Sequence, residues 1–153
     1  MARAFSLPSS GLRYLIGHAL VYGDRVAICS PWLSDVDVRL PLCPHGGDRS
    51  TKLSAAIKDV DTQVDVYVGP DIETNEYALS RLSGLENVTV SEVPNLHAKA
   101  VVTDTYVYVG SANITRGGLL TNVELCKVLE NDYESVDTYL ENELDLSQSY
   151  IQS

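Results

Sequence analysis

Residues 97–113 read His97-Ala98-Lys99-Ala100-Val101-Val102-Thr103-Asp104-Thr105-Tyr106-Val107-Tyr108-Val109-Gly110-Ser111-Ala112-Asn113. Two runs dense in β-forming residues, 98–103 and 106–110, are separated only by Asp104-Thr105, which predicts a tight hairpin. On an extended strand His97 and Lys99 are two apart, so both side chains leave the same face and can converge on one anion. Asn113 follows the Gly110-Ser111 turn, where its amide can donate to the same oxygens. Farther on, Glu124 can hold a histidine Nδ1–H and leave Nε2 free as a nucleophile. The set suits attack on phosphorus.

Working outward, Leu12, Leu15, Ile16, Ala19 and Leu20 recur at helical spacing and predict an amphipathic helix over 9–22, with Ser9-Ser10-Gly11 as its cap. The apolar run 25–30, stopped by Pro31, reads as a buried strand that opens into a loop carrying Trp32. Residues 41–50, with Pro44 and Gly46-Gly47, read as a loop, and Leu53, Ala56, Ile57 and Val60 mark a helix over 51–60. Strands follow at 64–68 and 88–93, with a helix near 75–82 between them. A strand at 123–129 and a helix from Tyr133 to Leu144, with acids on its outer face, complete the chain. Strands alternate with helices early and pair as a hairpin late. The expected fold is a single α/β domain over 1–153, a mixed parallel and antiparallel sheet flanked by helices with right-handed crossovers.

Phosphodiester cleavage needs a nucleophile, donors for the nonbridging oxygens and an acid for the leaving alkoxide. His97 serves as nucleophile or acid but not as both in one step, since one role needs a lone pair and the other a proton. His18 and His45 are not followed two residues later by Lys. A two-fold homodimer that sets two His97 side chains on opposite sides of one phosphate is the economical answer.

These residues resemble the phospholipase D superfamily, whose hallmark is His-x-Lys, four residues, then Asp, and later Gly-Ser-x-Asn. His97, Lys99 and Asp104 match the first part; Gly110, Ser111 and Asn113 match the second. The chain has one copy where many members have two, and in this it is similar to the small homodimeric endonucleases of the superfamily. The spacing between Asp104 and Gly110 is one residue shorter than is usual there. The resemblance implies a phospholipase D-like fold and a phosphohistidine formed on His97 of one subunit, with His97 of the other as proton donor. It further implies that Lys99 and Asn113 hold the phosphate, Ser111 assists, Glu124 orients His97, Asp104 and Gly110 are structural, and no cofactor is needed.

Charge opposes a polyanionic substrate. There are 21 Asp and Glu against 11 Lys and Arg, a net charge of -10, so phosphate chemistry requires local positive charge, expected from Lys99, Arg116 and Lys52 or Arg81. The acid-rich, lysine-poor balance also fits a high-salt cytoplasm, where screening is short-ranged. No apolar stretch is long enough for a membrane span and no secretory leader is evident, which points to a cytoplasmic protein. Cys29, Cys43 and Cys126 form no CxxC pair; Cys43-Pro-His45 offers two metal ligands and nothing to complete the set, so no metal is expected. Trp32 is read either as a base-stacking platform or as an aromatic plug in the core or dimer interface. Arg116 is read as a donor to a neighbouring phosphate or as a solvated charge.

Three functions compete: a metal-independent nuclease acting on DNA in preference to RNA, a lipid phosphodiesterase or phosphatidyl transferase, and a catalytically weak nucleic-acid-binding subunit of a restriction or defence complex. No hydrophobic loop or helix suited to lipid landing is evident, and a nuclease is the favoured reading.

Overall fold

Alternation along residues 25–29 sends Val26 and Ile28 to one side of a strand and Ala27 and Cys29 to the other, and all four are buried. A strand covered on both faces belongs mid-sheet, and that is its place in the computed structural model, which describes residues 3–41 and 49–146. The first half of the chain comprises β1 (Ala4–Ser6), α1 (Leu12–Tyr22), β2 (Arg25–Cys29), β3 (Asp37–Leu40), β4 (Arg49–Lys52) and α2 (Leu53–Lys58). The second comprises β5 (Gln63–Val68), α3 (Glu76–Leu82), β6 (Val88–Glu92), β7 (Ala100–Val102), β8 (Tyr106–Gly110), β9 (Cys126–Glu130) and α4 (Val136–Glu143).

Seven strands form one sheet in the order β1-β9-β8-β7-β2-β5-β6, and β3 and β4 pair separately. β2, β5 and β6 run parallel; β7 lies antiparallel to β2, and β8, β9 and β1 continue antiparallel from it. Val26, Ile28, Val64, Val66, Val101 and Tyr108 pack under α1, α2 and α3. On the opposite face, Ala27, Cys29, Ala100, Val102 and Val107 pack under Val136 and Leu140 of α4. The small side chains on that face let a single helix cover it. Arg25 ties the layers together: its Nε and Nη2 donate to buried Asp65 at 3.0 and 2.6 Å, and its Nη1 donates to Asp137 of α4.

The mixed sheet agrees with the sequence pattern, and several boundaries differ. Residues 49–52 form β4 instead of loop and helix, because pairing with β3 (Asp37↔Lys52 through Leu40↔Arg49) captures them and α2 starts only at Leu53. The rest of the expected 41–50 loop, with Cys43 and His45, lies outside the described residues apart from Pro41. β1 and β3 had no periodic signature at three and four residues. A 3-10 turn over Ser9–Gly11 precedes α1, which has no side-chain cap. α4 begins at Val136, capped by Ser135 Oγ accepting from Thr138 N–H at 3.3 Å, so Tyr133 lies before it.

α1 sits so close to β3 that a Cβ on Gly17 would lie 1.8 Å from the carbonyl oxygen of Arg39. Backbone cannot yield as a side-chain tip can, so Gly17→Ala should destabilise the fold by about 3 kcal/mol, read as a lower denaturant midpoint. An unchanged midpoint would contradict this packing.

Candidate active site

At β2 the sheet changes from parallel to antiparallel, so the end of β2, the start of β7, the end of β8 and the start of β9 share one edge: Cys29 is opposite Ala100, Ala100 opposite Val109, and Gly110 opposite Cys126. Segments 30–36, 93–99 and 111–125 therefore meet there. The sequence-predicted site residues His97, Lys99, Ser111, Asn113, Glu124, Trp32 and Arg116 lie on them, Gly110 ends β8 at the same edge, and Asp104 does not.

His97 is delivered by a turn. Leu96 N–H donates to Val93 O at 3.3 Å across Pro94-Asn95, with Asn95 at φ 61°. Proline at the first central position and left-handed asparagine at the second are the residues such a turn selects. This turn delays pairing, so β7 starts at Ala100 and His97 and Lys99 precede it, which corrects their placement on a strand. Strand alternation thus does not align them; Lys99 instead folds back, its Nζ donating to His97 O at 3.1 Å, while Gly110 N–H donates to Lys99 O at 3.3 Å. The His97 side chain is exposed.

Asn113 is set from behind. Its Oδ1 accepts from Trp32 N–H at 3.3 Å, and a backbone N–H can only donate, so the amide orientation is fixed and the Nδ2 hydrogens remain for another acceptor. Buried Ser30 Oγ donates to Trp32 O, accepts from Ile114 N–H at 2.8 Å and lies 3.4 Å from Asn113 Oδ1. Ser34 N–H donates to Ile114 O at 2.9 Å. Asn75, only 1% exposed, clamps the Trp32 loop by accepting from Leu33 N–H and donating to Pro31 O, both at 2.8 Å. Gly118, in a π-helical turn at Gly117–Thr121, backs onto Asn113: a Cβ there would lie 2.1 Å from Asn113 O. Ser30, Asn75 and Gly118 are positioning residues that the motif pattern did not reveal; their only sequence signal was polar or small character beside apolar runs.

Ser111 Oγ donates to Glu124 Oε1 at 2.9 Å and accepts from Leu125 N–H at 3.0 Å. Glu124 is thus engaged by Ser111 and not by His97, which corrects the expected pairing within one chain and leaves Oε2 for another donor. Gly110 is obligatory, because a Cβ would lie 2.3 Å from Leu125 O. Beneath the site Tyr108 donates to Ala112 O at 3.2 Å, and burial holds its hydroxyl far above the usual phenol range, so it stays a neutral donor. Asp104 sits at the other end of β7, where its Oδ1 accepts from Val136 N–H at 2.9 Å in the first turn of α4.

Trp32 is 50% exposed, which removes the reading of it as a core plug. Arg116 and Lys52 line a common cleft, whereas Arg81, on α3, is not in its wall. Residues 123–125, expected to begin a strand, instead belong to a loop before β9. Val123 is 103% and Leu125 72% exposed on either side of Glu124, with Leu120 exposed nearby. An apolar surface, absent from the sequence reading, therefore borders the site. Among the described residues no group of acids, cysteines and histidines could hold a metal ion, and no helix is long and apolar enough to cross a membrane.

Residues 24–145 match the family model described as cardiolipin synthase, PLD-like domain. No curated protein matches by sequence. Among solved structures, the chain is similar to the phospholipase D family member Nuc from Salmonella typhimurium, at 15% identity and a TM-score of 0.68, covering 99% of this chain and 96% of that one. It is also similar to NucT from Helicobacter pylori, at 17% identity and 0.67, covering 95% and 96%. Phosphatidylserine synthase from Haemophilus influenzae shares the fold at 16% identity and 0.62, with 99% of this chain matching 39% of that one.

Removing the Ser30 hydroxyl would strand the buried Ile114 N–H and take from Trp32 O its donor. Ser30→Ala should cost about 2 kcal/mol and speed hydrogen exchange at Ile114; unchanged exchange there would show that Ser30 does not brace the loop.

Proposed function

Because the chain belongs to the phospholipase D superfamily of phosphodiesterases, we propose that it is a metal-independent nuclease that cleaves nucleic-acid phosphodiesters through a phosphohistidine, in a site completed by a second copy of itself. The observation that carries this reading is the gathering of His97, Lys99, Ser111, Asn113 and Glu124 at one open sheet edge, in a chain with a single copy of the motif.

His97 Nε2 attacks phosphorus, and the P–O bond to the leaving alkoxide breaks as the P–N bond forms. Lys99 and the Asn113 amide hold the nonbridging oxygens, where charge grows in the transition state. The partner copy's equivalent imidazole gives its proton to the alkoxide, then takes a proton from the water that attacks phosphorus and releases His97. In the assembled site Glu124 Oε2 accepts a ring N–H from the partner copy's imidazole and fixes its tautomer. The roles of Asp104 and Gly110 are structural: one holds the start of α4, the other lets β8 approach β9 closely. Leu120, Val123 and Leu125 supply apolar surface for the two copies to meet beside the site. DNA is the favoured substrate, with Trp32 stacking on a base. Such a nuclease would work in the cytoplasm, within a larger defence complex.

The same apolar border favours one second reading, a lipid phosphodiesterase, and parallel assays on single-stranded DNA, RNA and phosphatidylcholine vesicles in EDTA separate the two. Polynucleotide cleavage that persists in EDTA is expected; cleavage that EDTA abolishes would contradict the histidine mechanism. His97→Ala should remove turnover with the fold intact by circular dichroism. Lys99→Ala and Asn113→Ala should each lose about 2–4 kcal/mol of transition-state stabilisation, measured as kcat/KM. Val123→Asp with Leu125→Glu should give folded, inactive monomers by light scattering; an active monomer would overturn the shared site.

A further inference from the structure

A cleft of about 490 Å3 opens beside the active edge, walled by Arg13 of α1, Lys52 of β4 and Arg116, with Leu119 and Leu120 behind them. Three of the chain's 11 basic residues thus line one cavity in a protein with 21 acids. The two carboxylates that share the cavity are already engaged. Asp35 accepts from Ser54 N–H at 2.8 Å and Ser54 Oγ at 2.7 Å, and Asp37 pairs with Lys52 at 3.2 Å. Arg13 is different: its Nε is buried and has no hydrogen-bond partner among the described residues. Folded proteins rarely leave such a donor orphaned, and a guanidinium is the side chain whose fork matches phosphate oxygens.

The cleft continues the active edge. Ser34, in its wall, lies two residues beyond Trp32 and donates to Ile114 O, and Arg116 lies three beyond Asn113. Half-exposed Trp32 stands on the loop between, and its ring can stack only on a base face that no neighbouring base covers, which favours an unpaired strand.

We propose that this cleft is a second phosphate subsite, in which Arg13 and Arg116 grip a flanking backbone phosphate of a single-stranded nucleic acid whose scissile phosphate lies at His97 and Lys99. This rests on the nuclease reading and adds to it the class of strand and the groups that hold it. Arg13 and Arg116, which pair with no carboxylate among the described residues, also answer how a chain of net charge -10 retains a polyanion.

The test compares the parent chain with Arg13→Gln and Arg13→Lys, using a short single-stranded oligodeoxynucleotide and the small diester bis(p-nitrophenyl) phosphate. Arg13→Gln should weaken oligonucleotide binding roughly tenfold and lower its salt slope by about 0.7, the value for one phosphate contact on a single strand. Hydrolysis of the small diester should be unchanged, because it cannot reach the cleft. Arg13→Lys should recover the salt slope and only part of the affinity, since it restores charge without the fork. Tm should stay level or rise in Arg13→Gln, as an unpartnered buried donor is removed. Equal loss on both substrates together with a lower Tm would overturn the proposal by assigning Arg13 to the fold. Unchanged binding in a variant of an active parent would overturn the subsite alone. A parent that hydrolyses the small diester but neither binds nor cleaves the strand would overturn the nuclease reading, and the subsite with it.

Discussion

The antiparallel pairing of β7 with β2 is the constraint on which the rest of the molecule depends. Were β7 parallel to β2, the β7–β8 hairpin would turn over as a unit, and His97, Lys99 and Asn113 would lie at the opposite end of the sheet from Trp32. Reversal at this one boundary, through the pairs Ala27↔Val102, Ile28↔Val101 and Cys29↔Ala100, brings the exit of the parallel half and the entrance of the antiparallel half to a common edge. The interactions behind that edge hold it: Ser30 and Asn75 brace one loop, Gly118 and Ile114 the other, and a Leu33–Ile114 bridge joins them. Functional side chains can then stay exposed while their backbones are fixed.

Much of this was legible because the relevant signals are short-range. The hairpin is announced by two β-rich runs around Asp104-Thr105, and the helices by apolar spacing such as Leu12, Ile16 and Leu20, all fully buried. What escaped depends on contacts between distant residues. β4 looks like the start of a helix until β3 pairs with it, and β1 has no pattern of its own before it meets β9. At the site, the residue types and their order could be read from the sequence, but not their partners. His97 and Lys99 seemed to belong to a strand, whereas the Pro94-Asn95 turn supplies their placement. Glu124 seemed matched to His97, whereas Ser111 is the donor that it accepts from.

Electrostatics divides the surface by task. Acids dominate the composition and serve structure in several places: Asp65 and Asp137 secure Arg25, Asp35 secures the start of α2 through Ser54, and Asp104 secures the start of α4. Such engaged carboxylates are fixed and localised, so the field that a ligand meets depends on which cations stand beside them. The apolar border formed by Val123 and Leu125 is a separate feature, and its position beside Glu124 makes association and chemistry parts of one question.

That question is decided by counting. Mass spectrometry of the chain mixed with excess single-stranded DNA and quenched in denaturant at alkaline pH, where a phosphohistidine survives, should find an oligonucleotide fragment covalently attached to His97 on at most one of every two chains, as a shared site requires. Attachment to more than half of the chains, or to a residue other than His97, would contradict two imidazoles acting on one phosphorus.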